Sequence, residues 1–120
     1  MSPVCDAIVV FCFDFRFQQY LRAWTDRYLS GQTFDLVGYA GSTKELDVIL
    51  GQIDLAVRLH QVARVLLVHH ENCAAYGAES TYERHAADLG KAEGEILARY
   101  PHLGVENFYA RLDGSFEPVS

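Results

Sequence analysis

Two short fragments of this 120-residue chain carry the residue types that bind metals and orient reacting water: Cys12-Phe13-Asp14-Phe15-Arg16 and His70-Glu71-Asn72-Cys73. In the first, the polar residues stand at alternate positions, so an extended chain presents them on a common side. In the second, a histidine and a cysteine three apart can reach one ion from a single turn. Two thiolates and one imidazole make a three-ligand zinc site with its fourth position open to water, whose pKa the metal lowers to about 7. Each fragment alone is weak. Cysteine is among the most often buried residue types, and a lone Cys12 reads as a core thiol. Asp14 and Arg16 add weight, because charged groups directly after a buried strand are costly unless paired with each other or with a metal-bound group. The fragments acquire meaning only if the fold unites them.

The elements that would do so are legible. Ala7 to Cys12 is an apolar, β-branched and aromatic run suited to a strand buried on both faces. Phe17, Leu21, Trp24 and Tyr28 follow at 4-3-4 spacing, one side of a helix, with Gly31 as its C-cap. Phe34 to Tyr39 predicts a second strand. After Ala40-Gly41, the S-x-x-E pattern Ser42-Thr43-Lys44-Glu45 predicts the start of a second helix, whose stripe is Leu46, Ile49, Leu50, Ile53 and Val57. Val65 to Val68 gives a third strand. Ser80-Thr81-Tyr82-Glu83 repeats the capping pattern before a helix carrying Tyr82, Ala86, Leu89, Ile96 and Tyr100, which Pro101 stops. Val105 to Leu112 supplies a fourth strand, Asp113-Gly114 a turn, and Phe116 to Val119 a short antiparallel edge.

Strands alternating with helices predict a three-layer α/β fold with a mostly parallel four-stranded sheet in the order 2-1-3-4, a single domain over residues 1–120. In that order the first and third strands are neighbours, and the chain winds away from them in opposite directions. Ligands bind in the crevice left beyond their carboxyl ends. Cys12 closes the first of these strands; His69, His70 and Cys73 close the third.

Composition narrows the function. Half the residues are hydrophobic and the formal net charge is -6, so the chain is built to fold and offers no basic path for nucleic acid. The apolar stretches fall short of the roughly 20 residues a membrane helix needs, and the N-terminal stretch lacks the positive charge of a secretory signal. These features predict a soluble, cytoplasmic protein. Three cysteines, an odd number, argue for thiols that bind metal, react or pack rather than for a disulfide framework. Cys5 is the spare one.

Cys-x-Asp-x-Arg at the end of the first strand, followed by His-x-x-Cys at the end of a later one, resembles the β-class carbonic anhydrases. The resemblance implies Zn2+ bound by Cys12, His70 and Cys73, with Asp14 and Arg16 as a dyad that handles the metal-bound water, carbon dioxide and bicarbonate as small-molecule substrate and product, and a homodimer or higher homo-oligomer. The Ala40-Gly41 turn, with Ser42 after it, resembles the family's loop beside the active site. His69 and Tyr76 are candidates for proton transfer or pocket lining, with packing as the alternative role; Glu71 and Asn72 read as turn residues, and Asn72 could orient a ligand. Carbonyl sulfide or carbon disulfide hydrolysis, or zinc binding without catalysis, are the rival functions. The chain departs from the family pattern in lacking the long N-terminal helical arm, in a shortened segment after His-x-x-Cys, in Gly38-Tyr39 before the Ala-Gly loop, and in Ala74 and His69 where glycines are usual.

Overall fold

The computed structural model describes residues 3–120. In chain order its strands are β1 (Ala7–Phe11), β2 (Phe34–Gly38), β3 (Arg64–His70), β4 (Gly104–Ala110) and β5 (Phe116–Val119). The helices are α1 (Gln18–Tyr28), α2 (Leu46–His60) and α3 (Tyr82–Arg99). The sheet order is β2-β1-β3-β4-β5, with the first four strands parallel and β5 antiparallel to β4. The expected 2-1-3-4 arrangement is therefore present, and the edge strand makes it five.

Alternation along the central strands sorts their side chains into two layers. Ile8 and Val10 of β1, with Val65 and Leu67 of β3, pack against Ile49, Leu50 and Ile53 of α2 and Leu89, Ala92 and Ile96 of α3. Ala7, Val9 and Phe11, with Leu66 and Val68, face Phe17, Leu21 and Trp24 on the other side. Burying each large aliphatic or aromatic side chain contributes about 1.5–3 kcal/mol, which is why β1 and β3, apolar on both faces, take the centre. Among the described residues no helix is long and apolar enough to cross a membrane.

Three local expectations are corrected. The second helix begins at Leu46, not at Ser42: Ser42 adopts φ 57, its hydroxyl donates to the Val10 carbonyl at 3.4 Å, and Glu45 stands at the N-cap without a side-chain cap bond. The third helix is capped by Thr81, whose hydroxyl accepts from the Arg84 N–H, and its buried stripe is His85, Leu89, Ala92 and Ile96 rather than one running through Tyr82 and Ala86. The first helix has Leu29 as C-cap, with Gly31 in the left-handed region two residues on, and Tyr28 stays 42% exposed.

Candidate metal centre

Because β1 and β3 are parallel neighbours, their carboxyl ends deliver Cys12 and His70 to one crevice. Asn72, at φ 59, then turns the chain back so that Cys73 joins them. One ligand atom each from Cys12, His70 and Cys73 lies within 4.8 Å of the others, and all three residues are buried. The two fragments are thus united as expected.

The chemistry of this donor set fits a cation. His70 Nδ1 lies 2.8 Å from the Glu71 carbonyl, which can only accept, so Nδ1 carries the proton and Nε2 presents a lone pair. That Nε2 is buried and has no hydrogen-bond partner among the described residues. Leaving such an atom unsatisfied costs about 1–3 kcal/mol, a penalty that metal coordination removes. The rings of Phe17 and Phe11, with centroids 4.4 and 5.8 Å from that of His70, hold the imidazole in place. The Cys12 thiol is held well below its usual pKa, first by a hydrogen bond from Cys73 and also by the Gly41 N–H, while Cys73 is pushed up by Cys12 and by burial. Two sulfurs so close share one proton, and only a nearby positive charge lets both ionise.

Asp14 and Arg16 meet, but not along an extended strand. Asp14 caps a 3-10 turn, Phe15–Phe17, accepting from the Arg16 N–H at 2.9 Å. Arg16 Nε donates to Oδ1 and Oδ2 of Asp14 at 3.1 and 3.2 Å, and its terminal nitrogen donates to Oδ2 at 2.7 Å. The arginine holds the Asp14 carboxyl below the usual range. Its far side donates to the side chain and backbone carbonyls of Asn72 at 2.9 and 2.8 Å, clamping the His70–Cys73 turn to the β1 loop. Asp14 Oδ2 is 3.8 Å from His70 Nε2, at the rim of the cluster. Beside it opens a cavity of about 520 Å³, lined by Cys12, Phe13, Asp14, Phe15, Ala40, Ala74 and Ala75.

The four remaining candidates fare differently. Gly41 is at the site: its N–H donates to Cys12 Sγ at 3.4 Å, and φ +78 explains the glycine. Ser42 is fully buried under that loop on Val10 and does not line the cavity. His69 is turned to the opposite face from His70, as strand alternation requires, and bonds Thr43 and His85 there. Burial pulls its pKa down to about 3, and it is not among the residues that line the cavity. Tyr76 is buried, its hydroxyl donates to Asp88, and burial first, then Asp88, raises its pKa; it does not line the cavity.

A family model described as "Putative carbonic anhydrase" matches residues 3–120. The chain belongs to this carbonic anhydrase family. Curated relatives include an uncharacterized protein of Rickettsia conorii, 29% identical over 93% of this chain and 70% of its own length, and one of Rickettsia bellii, 26% identical over 93% and 80%. Among solved structures, the carbonic anhydrase of Streptococcus mutans superposes with a TM-score of 0.69 at 16% identity, covering 99% of this chain and 84% of that one. The β-carbonic anhydrase of Aspergillus fumigatus gives 0.60 at 16% identity, over 98% and 76%. These solved structures share the fold, the mostly parallel sheet with an antiparallel edge.

Within this carbonic anhydrase-family chain, sequence reasoning missed Thr43, Ser80 and His85, which form a hydrogen-bonded line behind the cluster with His69 joining Thr43 to His85. A signal for His85 existed: residues 85, 89, 92 and 96 fall at 4-3-4 spacing on the face of α3 that is buried. Ser80 and Thr43 had none, because capping patterns absorbed both.

Proposed function

We propose that the chain hydrates carbon dioxide to bicarbonate at a zinc ion held by Cys12, His70 and Cys73. The observation that carries this reading is the bare, buried Nε2 of His70, a residue with a ring nitrogen within 4.8 Å of two buried sulfurs, beside a carboxylate fixed by an arginine. When bound, zinc acts as a Lewis acid that makes a coordinated water acidic near neutral pH. The chain supplies the rest. Asp14, kept ionised by Arg16, can only accept a hydrogen bond, so a water donating to it points a lone pair elsewhere, toward the cavity. Phe13, Phe15, Ala40, Ala74 and Ala75 give that cavity an apolar wall suited to a small substrate without a net dipole.

The proposal includes a homodimer. Phe13 and Phe15 are 66% and 86% exposed at the cavity mouth, and Leu36 on edge strand β2 is 52% exposed. Surfaces of this kind are covered by partners. The solved tetrameric β-carbonic anhydrases of Sordaria macrospora share the fold, with a TM-score of 0.60 at 11% identity, which supports association.

The test is metal analysis of the purified protein, then stopped-flow carbon dioxide hydration by it and by Asp14→Ala, with sulfide release from carbonyl sulfide measured alongside. Hydration by the wild type, lost in Asp14→Ala, supports the reading. Full zinc occupancy with no hydration sinks it.

A further inference from the structure

His85 has no part in the chemistry above, yet it is fully buried and both of its ring nitrogens are bonded. It stands in the middle of a line that crosses the fold. Thr43 Oγ1 and backbone N lie 2.7 and 3.3 Å from His69 Nε2, and His69 Nδ1 lies 2.8 Å from His85 Nδ1. His85 Nε2 lies 2.9 Å from Ser80 Oγ, and the Cys73 N–H donates to that same oxygen at 2.9 Å.

The direction of the line follows from the Thr43 backbone N–H, whose proton the peptide plane places. It points at His69 Nε2, so Nε2 is an acceptor and the His69 proton is on Nδ1. His85 Nδ1 must then accept, its own proton is on Nε2, and Ser80 Oγ accepts twice, from His85 and from Cys73. Each imidazole is neutral with one donor and one acceptor in use. No proton can travel to the cluster along this route, because it ends on a backbone amide.

Packing alone does not call for such a line. Leu89, Ala92 and Ile96 already seat α3 on the sheet, and apolar side chains at 69 and 85 would do the same without the cost of burying two imidazoles. What the polar line adds is registry. It starts in the loop whose Gly41 N–H holds the Cys12 sulfur, passes through the residue next to His70, and ends on the amide of Cys73.

We infer that His85 is a positioning residue for the metal centre, fixing the Cys73 backbone through Ser80 and tying it through His69 and Thr43 to the loop that holds Cys12. The inference rests on the metal-site part of the proposed function and not on the substrate.

The test compares Ser80→Ala, Ser80→Thr and His85→Phe with the wild type. Zn2+ affinity is read by competition with a chromogenic chelator, and site geometry from the thiolate charge-transfer and ligand-field bands of the Co2+ form. Outer-shell partners of metal ligands typically govern 10–100-fold in affinity. Ser80→Ala and His85→Phe should therefore weaken Zn2+ binding about 10–100-fold and shift the Co2+ bands, while Ser80→Thr, which keeps the hydroxyl, restores both. Wild-type affinity and spectrum in folded Ser80→Ala overturn the inference, as does a Ser80→Thr protein that is folded yet as weak as the alanine variant. Should His85→Phe fail to fold, Ser80→Ala decides, since Ser80 is only half-buried. Weakened metal binding in Ser80→Ala together with a wild type inactive toward carbon dioxide upholds the inference and removes only the substrate assignment; a wild type that binds no Zn2+ overturns both.

Discussion

Gly41→Ala places a single methyl group where the loop after β2 meets the proposed metal site. At φ +78 a non-glycine residue costs about 1–2 kcal/mol. The added Cβ would stand 3.0 Å from Lys44 Cβ and 3.3 Å from Ala75 Cβ, and relieving such overpacking costs on the order of 1 kcal/mol more. The sum, about 2–3 kcal/mol, is a large part of a typical stability of 5–15 kcal/mol. For a domain of this size it lowers Tm by roughly 6–18 °C. The loop shift also moves the N–H that holds Cys12 Sγ, so Zn2+ affinity should fall with stability. Gly51→Ala is the internal control. Gly51 lies inside α2 with nothing within 4 Å of its added Cβ, so alanine there should stabilise by about 0.5–1 kcal/mol. Thermal melts followed by circular dichroism, with and without EDTA, measure both. The reasoning fails if Gly41→Ala melts within about 2 °C of wild type, or if the two alanines shift Tm in the same direction.

Arg16→Ala removes the guanidinium bonds that orient Asp14, leaving only the backbone N–H of residue 16 on its carboxylate, and frees Asn72; if the proposed function holds, kcat/KM for hydration should drop about 100-fold with Zn2+ still stoichiometric, and an unchanged rate would exclude a role for the dyad. Acid should destabilise the fold through His85, which burial pulls down to about 4 from an ordinary value near 6.5. The groups facing it are His69, Tyr76, Tyr109, Arg84 and Asp88. Because the unfolded chain binds the extra proton, stability present above pH 6.5 is lost as pH falls toward about 4. His85→Phe should flatten Tm against pH in that window, and an equally steep curve would contradict the assignment. Phe15→Glu should convert a dimer of the 13.5 kDa chain to monomer in light scattering, and a wild type that is already monomeric at micromolar concentration refutes the dimer.

Much of the fold was legible because its signals are local. Ala7–Phe11 and the run through Val68 are apolar on both faces, a pattern only central strands bury fully. Once those two strands are neighbours, Cys12 and His70 converge by topology. The errors share a cause. Ser42 reads as a helix cap, but its hydroxyl bonds Val10 and Thr43 bonds His69, so the loop is shaped by β1 and β3 rather than by the helix that follows.

Residue type and spacing by themselves determined the layered α/β architecture, the strand order and the convergence of two thiols and an imidazole, since these follow from periodicity and the short reach of connections. Only the tertiary structure decided that His69 finds His85 as its partner, that Arg16 clamps Asn72 as well as Asp14, and that Ser80 holds the Cys73 amide. Those bonds join side chains to side chains or backbone across separations of 56, 16 and 7 residues. Which partner each finds depends on how α3 and the loops seat on the sheet to within a fraction of an ångström, and no local pattern encodes that distance.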